Sequence, residues 1–403
     1  MNCSCCEPQG WIRPARRARW GLVSSFLAAT LLMPGSAAAG GVSDDVGELL
    51  KPIRAKHKIP AMAGAIVRGE ELIALGAVGV RRHGSPEKVT TGDKFHIGSC
   101  TKAMTATLIG MLVEQGKLRW ETTIGEVFPK LRDKMDPAYR DVTLELLLAH
   151  RGGTPGDLSA NGLWARLWRH RGTPVKQRRM LLKGVVTRPP AAEPGTKYIY
   201  SNAGYAIAGH MAETVMERSW EKLLRKMVFR PLGMKSAGFG APGKPTGVDQ
   251  PHGHVLRDGK MKPIKPGRKA DNPAAIGPAG TVHCSIGDWA KYVSMQLTGG
   301  RGGDRLLSPD TMKKLHTDVQ DQGYALGWIV TRRPWGGRVL NHAGSNTMWY
   351  AVTWISPEKN FAVLVTCNLG GGSAPKACDE AAWALIQRFQ KQHASKPTPG
   401  TQE

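Results

Sequence analysis

The sequence predicts a mixed α/β chain of the α+β kind: an antiparallel sheet flanked by N- and C-terminal helices, with a mostly helical lobe inserted between its two halves. Three observations carry this. Two strand-like runs, 61–68 and 71–80, meet at a short Arg68-Gly69-Glu70 connection. A long central stretch reads as helices. Between 324 and 368 strands return at hairpin spacing and close on a final helix over 376–391. Parallel strands need long crossovers, so these short connections mean antiparallel pairing. The sheet domain therefore takes residues 40–115 and 276–393, and the helical lobe takes 116–275.

The elements follow in order. AMAGAIVR (61–68) and ELIALGAVGV (71–80) are apolar and bounded by charge and glycine, as strands are. Phe95 to Gly98 leads into an amphipathic helix from Thr101 to Glu114, closed by Gly116. TLELLLA (143–149) is a short helix opening at Asp141 or Thr143, and Gly152-Gly153-Thr154-Pro155-Gly156 is a turn-rich loop. Trp164, Leu167, Trp168, Met180 and Leu181, set among arginines, place surface helices in 160–183; 203–217 and 219–229 are helical too. Residues 240–275, full of Pro, Gly and Lys, read as a long exposed connection. A helix over 286–298 precedes strands at 324–331, 337–342, 346–356 and 360–368. Residues 394–403 read as a flexible tail.

Residues 1–39 read as an export signal. Arg13, Arg16, Arg17 and Arg19 precede an apolar run from Gly21 to Met33, then small residues Ser36-Ala37-Ala38-Ala39. The run is short for a membrane span, though an uncleaved anchor is the alternative. A periplasmic or extracellular place follows. Removing 1–39 takes away four arginines and Glu7, leaving 52 basic and 31 acidic side chains, a net charge of +21. Such a field favours anionic envelope surfaces. A nucleic-acid partner is not expected, because no nucleic-acid motif accompanies the charge. Cys100, Cys284, Cys367 and Cys378 remain, with room for one disulfide but no CxxC pair.

Chemistry concentrates in three short elements. Serine needs a neighbour to take its proton, and residues i and i+3 share a helix face. Ser99-Cys100-Thr101-Lys102 puts an amine beside a hydroxyl at a helix start, where free N–H groups suit a developing oxyanion. Ser85-Pro86-Glu87-Lys88 and Ser219-Trp220-Glu221-Lys222 share the spacing but lack the strand and the Gly98 turn. Alone, Ser99 reads first as a helix cap, and Cys100 as a small core residue. Tyr200-Ser201-Asn202 precedes another helix; a tyrosine flanked by cations can have a lowered pKa and relay protons, and Asn202 can bridge a lysine and a substrate amide. Alone these are a satisfied tyrosine and a helix cap. His342-Ala343-Gly344 ends a strand ahead of Ser345; the imidazole or its cation suits a substrate carboxylate, Gly344 lets substrate lie close, and the Ser345 N–H is a second oxyanion donor. Alone His342 is a turn histidine.

Metals and cofactors are not expected. Pro251-His252-Gly253-His254 supplies two histidines, whereas zinc takes three or four protein ligands. No Walker or dinucleotide glycine pattern is present.

In this order the three elements resemble those of a serine β-lactamase-like superfamily: class C β-lactamases, low-molecular-weight DD-peptidases and related esterases. Leu148-Ala149-His150-Arg151-Gly152-Gly153-Thr154-Pro155-Gly156, and Gly277-Pro278-Ala279-Gly280 before Ser285-Ile286-Gly287-Asp288, resemble that branch as well. The resemblance covers residues 43–391. It implies a β-lactamase/transpeptidase-like fold with the active site between lobes. It implies Ser99 as nucleophile, Lys102 as activator and Tyr200 as second proton carrier, protonating the leaving group or activating water. Asn202 then contacts the substrate amide, His342 and Gly344 line the strand side, and the N–H groups of Ser99 and Ser345 hold the oxyanion. The substrate is a small molecule or cell-wall peptide: a β-lactam, a D-Ala-D-Ala-type peptide, or a small ester or amide. The superfamily's lactamases usually carry Lys-Thr-Gly where this chain has His-Ala-Gly, which shifts the expectation toward peptidase, amidase or esterase. The alternative is a catalytically inactive penicillin-binding-like protein that binds cell wall or acts as a sensor.

Overall fold

The computed structural model describes residues 46–299, 306–318 and 322–393. The export segment expected at 1–39 and the tail expected at 394–403 lie outside the described residues. Helix α1 (Val46–Lys56) leads into β1 (Ala61–Arg68) and β2 (Glu71–Gly79), which pair antiparallel across a turn at Gly69. β3 (Lys94–His96) feeds a single 3-10 turn, Gly98–Cys100, that runs straight into α2 (Thr101–Glu114), with Gly116 just past its end. An amphipathic α2 is the sequence expectation. The structure instead buries it almost all round, Thr101 through Gly110 and Leu112. A helix enclosed on every side has no solvent face for a polar stripe to occupy.

The helical part follows: α3 (Ile124–Val127), α4 (Pro137–Arg140), α5 (Leu144–Leu148), α6 (Leu163–Arg169), α7 (Pro174–Val186), α8 (Asn202–Val215) and α9 (Trp220–Leu224). Hydroxyl caps begin several of them. Thr143 accepts from the Leu146 N–H, Thr173 from Lys176, and Ser219 from Lys222, so the Ser219 tetrapeptide is a helix start. Arg178 of α7 fastens this part together. Its guanidinium meets Glu213 of α8 at 2.7 Å and Glu221 of α9 at 2.9 Å.

The segment 240–275 departs from the exposed connection expected of it. After β4 (Gly238–Phe239), residues Gly253–Arg257 and Lys260–Ile264 form a hairpin, β5 and β6. His252, His254, Ala270 and Asp271 are buried. Both ring nitrogens of His254 are engaged, one with the Asn368 carbonyl at 2.7 Å and the other accepting from the His83 N–H at 2.9 Å. Prolines and lysines mark the hairpin's solvent side, but the partners that bury its other side come from distant parts of the chain.

α10 (Gly277–Gly280), β7 (Val282–Ser285), α11 (Ile286–Leu297) and α12 (Pro309–His316) lead to β8 (Ile329–Arg333), β9 (Gly337–Ser345), β10 (Tyr350–Ser356), β11 (Phe361–Cys367) and α13 (Ala374–His393). Six strands form one antiparallel sheet in the order β2-β1-β11-β10-β9-β8. β1 and β11 are central and buried along nearly their whole length, which explains their unbroken apolar runs. α1 and α13 cover one face through Leu50, Ile53, Leu385 and Phe389. α2, α11 and the helical part share the larger core on the other. The expected strands 324–331 and 337–342 shift: Tyr324 makes only an isolated bridge to Ile329, and β9 runs on to Ser345. All four described cysteines are buried free thiols. Among the described residues no helix is long and apolar enough to cross a membrane.

Candidate active site

Ser99 stands where three elements meet. β3 pairs with β7, setting Phe95 opposite Cys284, and Ile97 N donates to Val282 O at 3.0 Å. The chain must then turn sharply into α2, and Gly98 does so at φ +51°. Glycine is needed for a second reason. A Cβ on Gly98 would stand 2.3 Å from the Ser345 nitrogen. Ser99 is thereby held at the amino end of α2, half-buried, with β9 alongside. Cys100 points into the core, its thiol against the His342 carbonyl at 3.5 Å.

One helical turn on, Lys102 is fully buried. Its Nζ lies 3.1 Å from Ser99 Oγ, 2.8 Å from Asn202 Oδ1 and 2.8 Å from the Ala279 carbonyl. None of these partners is a carboxylate. Burial therefore acts on the ammonium unopposed, and the pKa is pushed down to about 7. A neutral amine there donates twice, to Asn202 and Ala279, and turns its lone pair to the Ser99 hydroxyl.

Tyr200 approaches from the helical side. Its hydroxyl donates to Ser99 Oγ at 2.8 Å, and Lys102 Nζ lies 4.7 Å from its ring centre. The lowered pKa expected from neighbouring cations does not occur. Burial raises the phenol, and the Ser99 hydrogen bond only partly offsets it. The neighbouring lysine tends toward neutrality, so no fixed cation draws the phenol down. The residue stays 38% exposed, but its hydroxyl, the end that titrates, meets Ser99. Ser201, rather than Asn202, caps α8, accepting from Gly204 N at 3.3 Å. The Asn202 side chain is left to reach Lys102.

On the strand side, β8 pairs no further than Asn341, so among the described residues no strand pairs with His342 to Ser345 on that edge. Gly344 packs against the Ser99 turn, and Ser345 is exposed. His342 corrects the expectation of a cation for a substrate carboxylate. It is interior to β9 and buried, with Nε2 3.3 Å from Tyr324 Oη and Nδ1 2.6 Å from the Ala343 carbonyl. Burial and the nearby Lys102 push its pKa down to about 3, so the ring is neutral at working pH.

Three further groups take their roles from the folded arrangement. His150 (φ +59°) packs its ring 4.4 Å from that of Tyr200, and its Nδ1 accepts from Ser201 N at 3.0 Å. Its place in the Leu148–Gly156 segment and its His-x-Gly spacing to Gly152 are its sequence signals. Tyr324 closes the far side of His342 and had none. Asp271 and His96 form a buried 3.0 Å pair behind Gly98; His96-Ile97-Gly98 shares its spacing with His342-Ala343-Gly344, and nothing local in the sequence pairs it with Asp271. A cavity of about 750 Å³ lies between the β1–β2 hairpin and α11, and its lining does not include Ser99, Lys102 or Tyr200.

The chain is similar to known proteins along most of its length. A family model described as Beta-lactamase matches residues 46–387. Penicillin-binding protein 4 of Amycolatopsis lactamdurans is 29% identical over 293 residues, covering 72% of this chain and 73% of that one. Unguisins hydrolase ungD of Aspergillus violaceofuscus is 32% identical over 350 residues, 77% of this chain; the match spans 58% of that longer protein. The octameric penicillin-binding protein homologue from Pyrococcus abyssi superposes with TM-score 0.67 at 24% identity, over 86% of this chain and 77% of that one. D-amino acid amidase from Ochrobactrum anthropi SV3, complexed with L-phenylalanine, does so with TM-score 0.69 at 19% identity, over 86% and 98%. At these identities the structural likenesses speak for the fold.

Proposed function

The chain belongs to the beta-lactamase family, and we propose that it is a serine hydrolase transferring acyl groups through Ser99, with neutral esters and amides as its preferred substrates. One observation carries the reading: Ser99 Oγ sits 3.1 Å from the Lys102 amine and 2.8 Å from the Tyr200 hydroxyl.

Lys102, neutral above about pH 7, takes the Ser99 proton as the oxygen attacks the acyl carbon. The negative charge that develops on the carbonyl oxygen is met by the N–H groups of Ser99 and Ser345, each such donor being worth about 3 kcal/mol of barrier. Tyr200, protonated at neutral pH, gives its proton to the leaving group and is reprotonated from the Lys102 ammonium. Water then attacks the acyl-enzyme with Lys102 again as base, and the resulting ammonium returns that proton to Ser99 Oγ, 3.1 Å away, as the acid product leaves. A raised phenol pKa suits Tyr200 as the acid rather than as the base for water. Asn202 orients Lys102 and faces the substrate amide.

His342 argues for substrates without a free carboxylate, since the position that would pair with one holds a neutral ring. The relatives named hydrolase and amidase support this; the one named penicillin-binding protein keeps β-lactams and D-Ala-D-Ala-type peptides as the alternative substrates. The basic and apolar run within 1–39 supports export, and the net charge of +24 supports association with anionic envelope surfaces.

The test is to incubate the protein with a p-nitrophenyl ester and, separately, a fluorescent penicillin, and to locate adducts by mass spectrometry. Ester turnover that disappears in Ser99→Ala supports the reading. Stable penicillin label on Ser99 without ester turnover points instead to an inactive penicillin-binding sensor, and turnover unchanged in Ser99→Ala refutes the assignment.

A further inference from the structure

We infer that Asp271 is a positioning residue for the oxyanion pocket: its buried carboxylate ties the chain just before Ser99 to the chain just after Ser345, and so sets the relative placement of the two N–H groups. The inference rests on the reading of Ser99 and Ser345 given above.

The two oxygens of Asp271 face in different directions. Oδ2 lies 3.0 Å from His96 Nε2, and Oδ1 accepts from Asn346 Nδ2 at 3.0 Å. Each partner hands the connection on to backbone. His96 Nδ1 accepts from the Gly98 N–H at 3.1 Å, one residue before Ser99. Asn346 Oδ1 accepts from Met348 N at 3.1 Å and Trp349 N at 3.2 Å, holding the turn that follows Ser345. Because Nδ1 is an acceptor, the ring hydrogen sits on Nε2 and points at the carboxylate.

This geometry asks for a carboxylate at 271. Both outer partners are donors, and the Asn272 N–H at 2.7 Å is a third. An asparagine there would turn an NH₂ toward one of two donors and lose one arm of the bridge. The cluster is buried, with His96 0%, Asp271 6% and Asn346 1% exposed. A buried carboxylate is costly unless its hydrogen bonds are complete, and here they are. The two segments it joins touch directly: a Cβ on Gly98 would fall 2.3 Å from the Ser345 nitrogen, and one on Gly344 2.6 Å from the Ser99 nitrogen. Asp271 makes no hydrogen bond to Lys102 or Tyr200, so the proton-handling groups stay in place when it is altered.

The experiment measures kcat and KM for a p-nitrophenyl ester, affinity for an arylboronic acid, and thermal unfolding, in the full chain and in Asp271→Asn. A boronate adduct on Ser99 places an oxygen in the oxyanion pocket, so it reads that pocket directly. Expected are a kcat lower by about tenfold to a hundredfold, a KM within about threefold, and boronate affinity reduced in parallel with kcat. His96→Phe, which keeps the ring volume but has neither the donor to Asp271 nor the acceptor for the Gly98 N–H, shows the same split and decides the matter if Asp271→Asn does not fold. Folded variants with kcat and boronate affinity within twofold of the parent, even with lowered melting temperatures, overturn the proposal. That failure is distinct from failure of the hydrolase reading, which would show as ester turnover surviving Ser99→Ala.

Discussion

Gly344 of β9 lies so close to the turn before α2 that a Cβ built on it would stand 2.6 Å from the Ser99 nitrogen and 2.1 Å from the Ile97 oxygen. Neither neighbour is a flexible side-chain end; both are backbone. The first prediction follows. Gly344→Ala must push β9 away from Ser99, and shifts of about 1 Å in a catalytic constellation cost on the order of 100-fold in rate. The variant should fold, at a cost of about 1–3 kcal/mol, with kcat/KM down by that factor. Steady-state kinetics beside a denaturant melt check this; a folded Gly344→Ala of parental activity would show that the strand does not help form the site.

A Lys102 pKa of about 7 makes acylation a neutral-pH reaction. Below that value the ammonium cannot accept the Ser99 proton; above it the amine is free. The logarithm of kcat/KM should rise with unit slope at acid pH and level off above pH 7. No alkaline fall is expected near pH 10, because burial holds the Tyr200 phenol above its ordinary value. A rising limb still climbing at pH 9 would mean an ordinary lysine and sink the neutral-amine account. The same shift affects stability. Between the folded value of about 7 and the ordinary 10.5, the unfolded chain binds the proton that the folded one releases, so this group makes stability rise with pH across that window.

Much of this site is legible as sequence because it is local. Ser99 and Lys102 are one helical turn apart, and the limits of α2 follow from Gly98 and Gly116. Tyr200 and Asn202 flank a residue that caps a helix. What cannot be read is whatever depends on burial by distant chain. Tyr200 and His342 are recognisable, but the directions of their pKa shifts depend on how much water each keeps. A loop composition hides Asp271, because a lone acid between lysines and prolines looks solvated until His96 and Asn346 close on it. Amphipathicity misleads for α2 for a related reason: enclosure on all sides is a property of the assembled fold.

Tyr200→Phe should separate acid catalysis from binding. It removes the hydroxyl 2.8 Å from Ser99 Oγ and leaves the ring against His150. A positioned proton donor is worth about 10²–10⁴-fold, so an amide substrate, whose amine leaves only when protonated, should lose kcat in that range. A p-nitrophenyl ester, whose phenolate leaves unaided, should lose far less. Comparing the two substrates on one variant checks this, and equal losses on both would remove Tyr200 from the leaving-group side of the reaction.

Arg178 offers a prediction about stability alone. It is fully buried between Glu213 and Glu221, and Glu213 also meets His210 at 2.6 Å. Burial alone would raise the Glu213 carboxyl, but hydrogen bonds from His210 and Arg178 outweigh it and hold the group below its usual range. Removing the guanidinium leaves two carboxylates facing each other, and breaking such a buried pair costs about 3–5 kcal/mol. Arg178→Ala should therefore unfold at much lower denaturant while its folded fraction keeps the parental kcat, since none of these groups contacts Ser99 or Lys102. Acid acts in the same direction in the parent. The stabilisation from ionised Glu213 is complete above the unfolded carboxylate value of about 4.5 and is lost as pH falls through the lower folded one. The double variant Arg178→Met/Glu213→Leu should recover part of the loss, because a filled apolar contact replaces an uncompensated charge. If the single variant melts with the parent, α7, α8 and α9 are held by their apolar faces and the ion cluster is incidental.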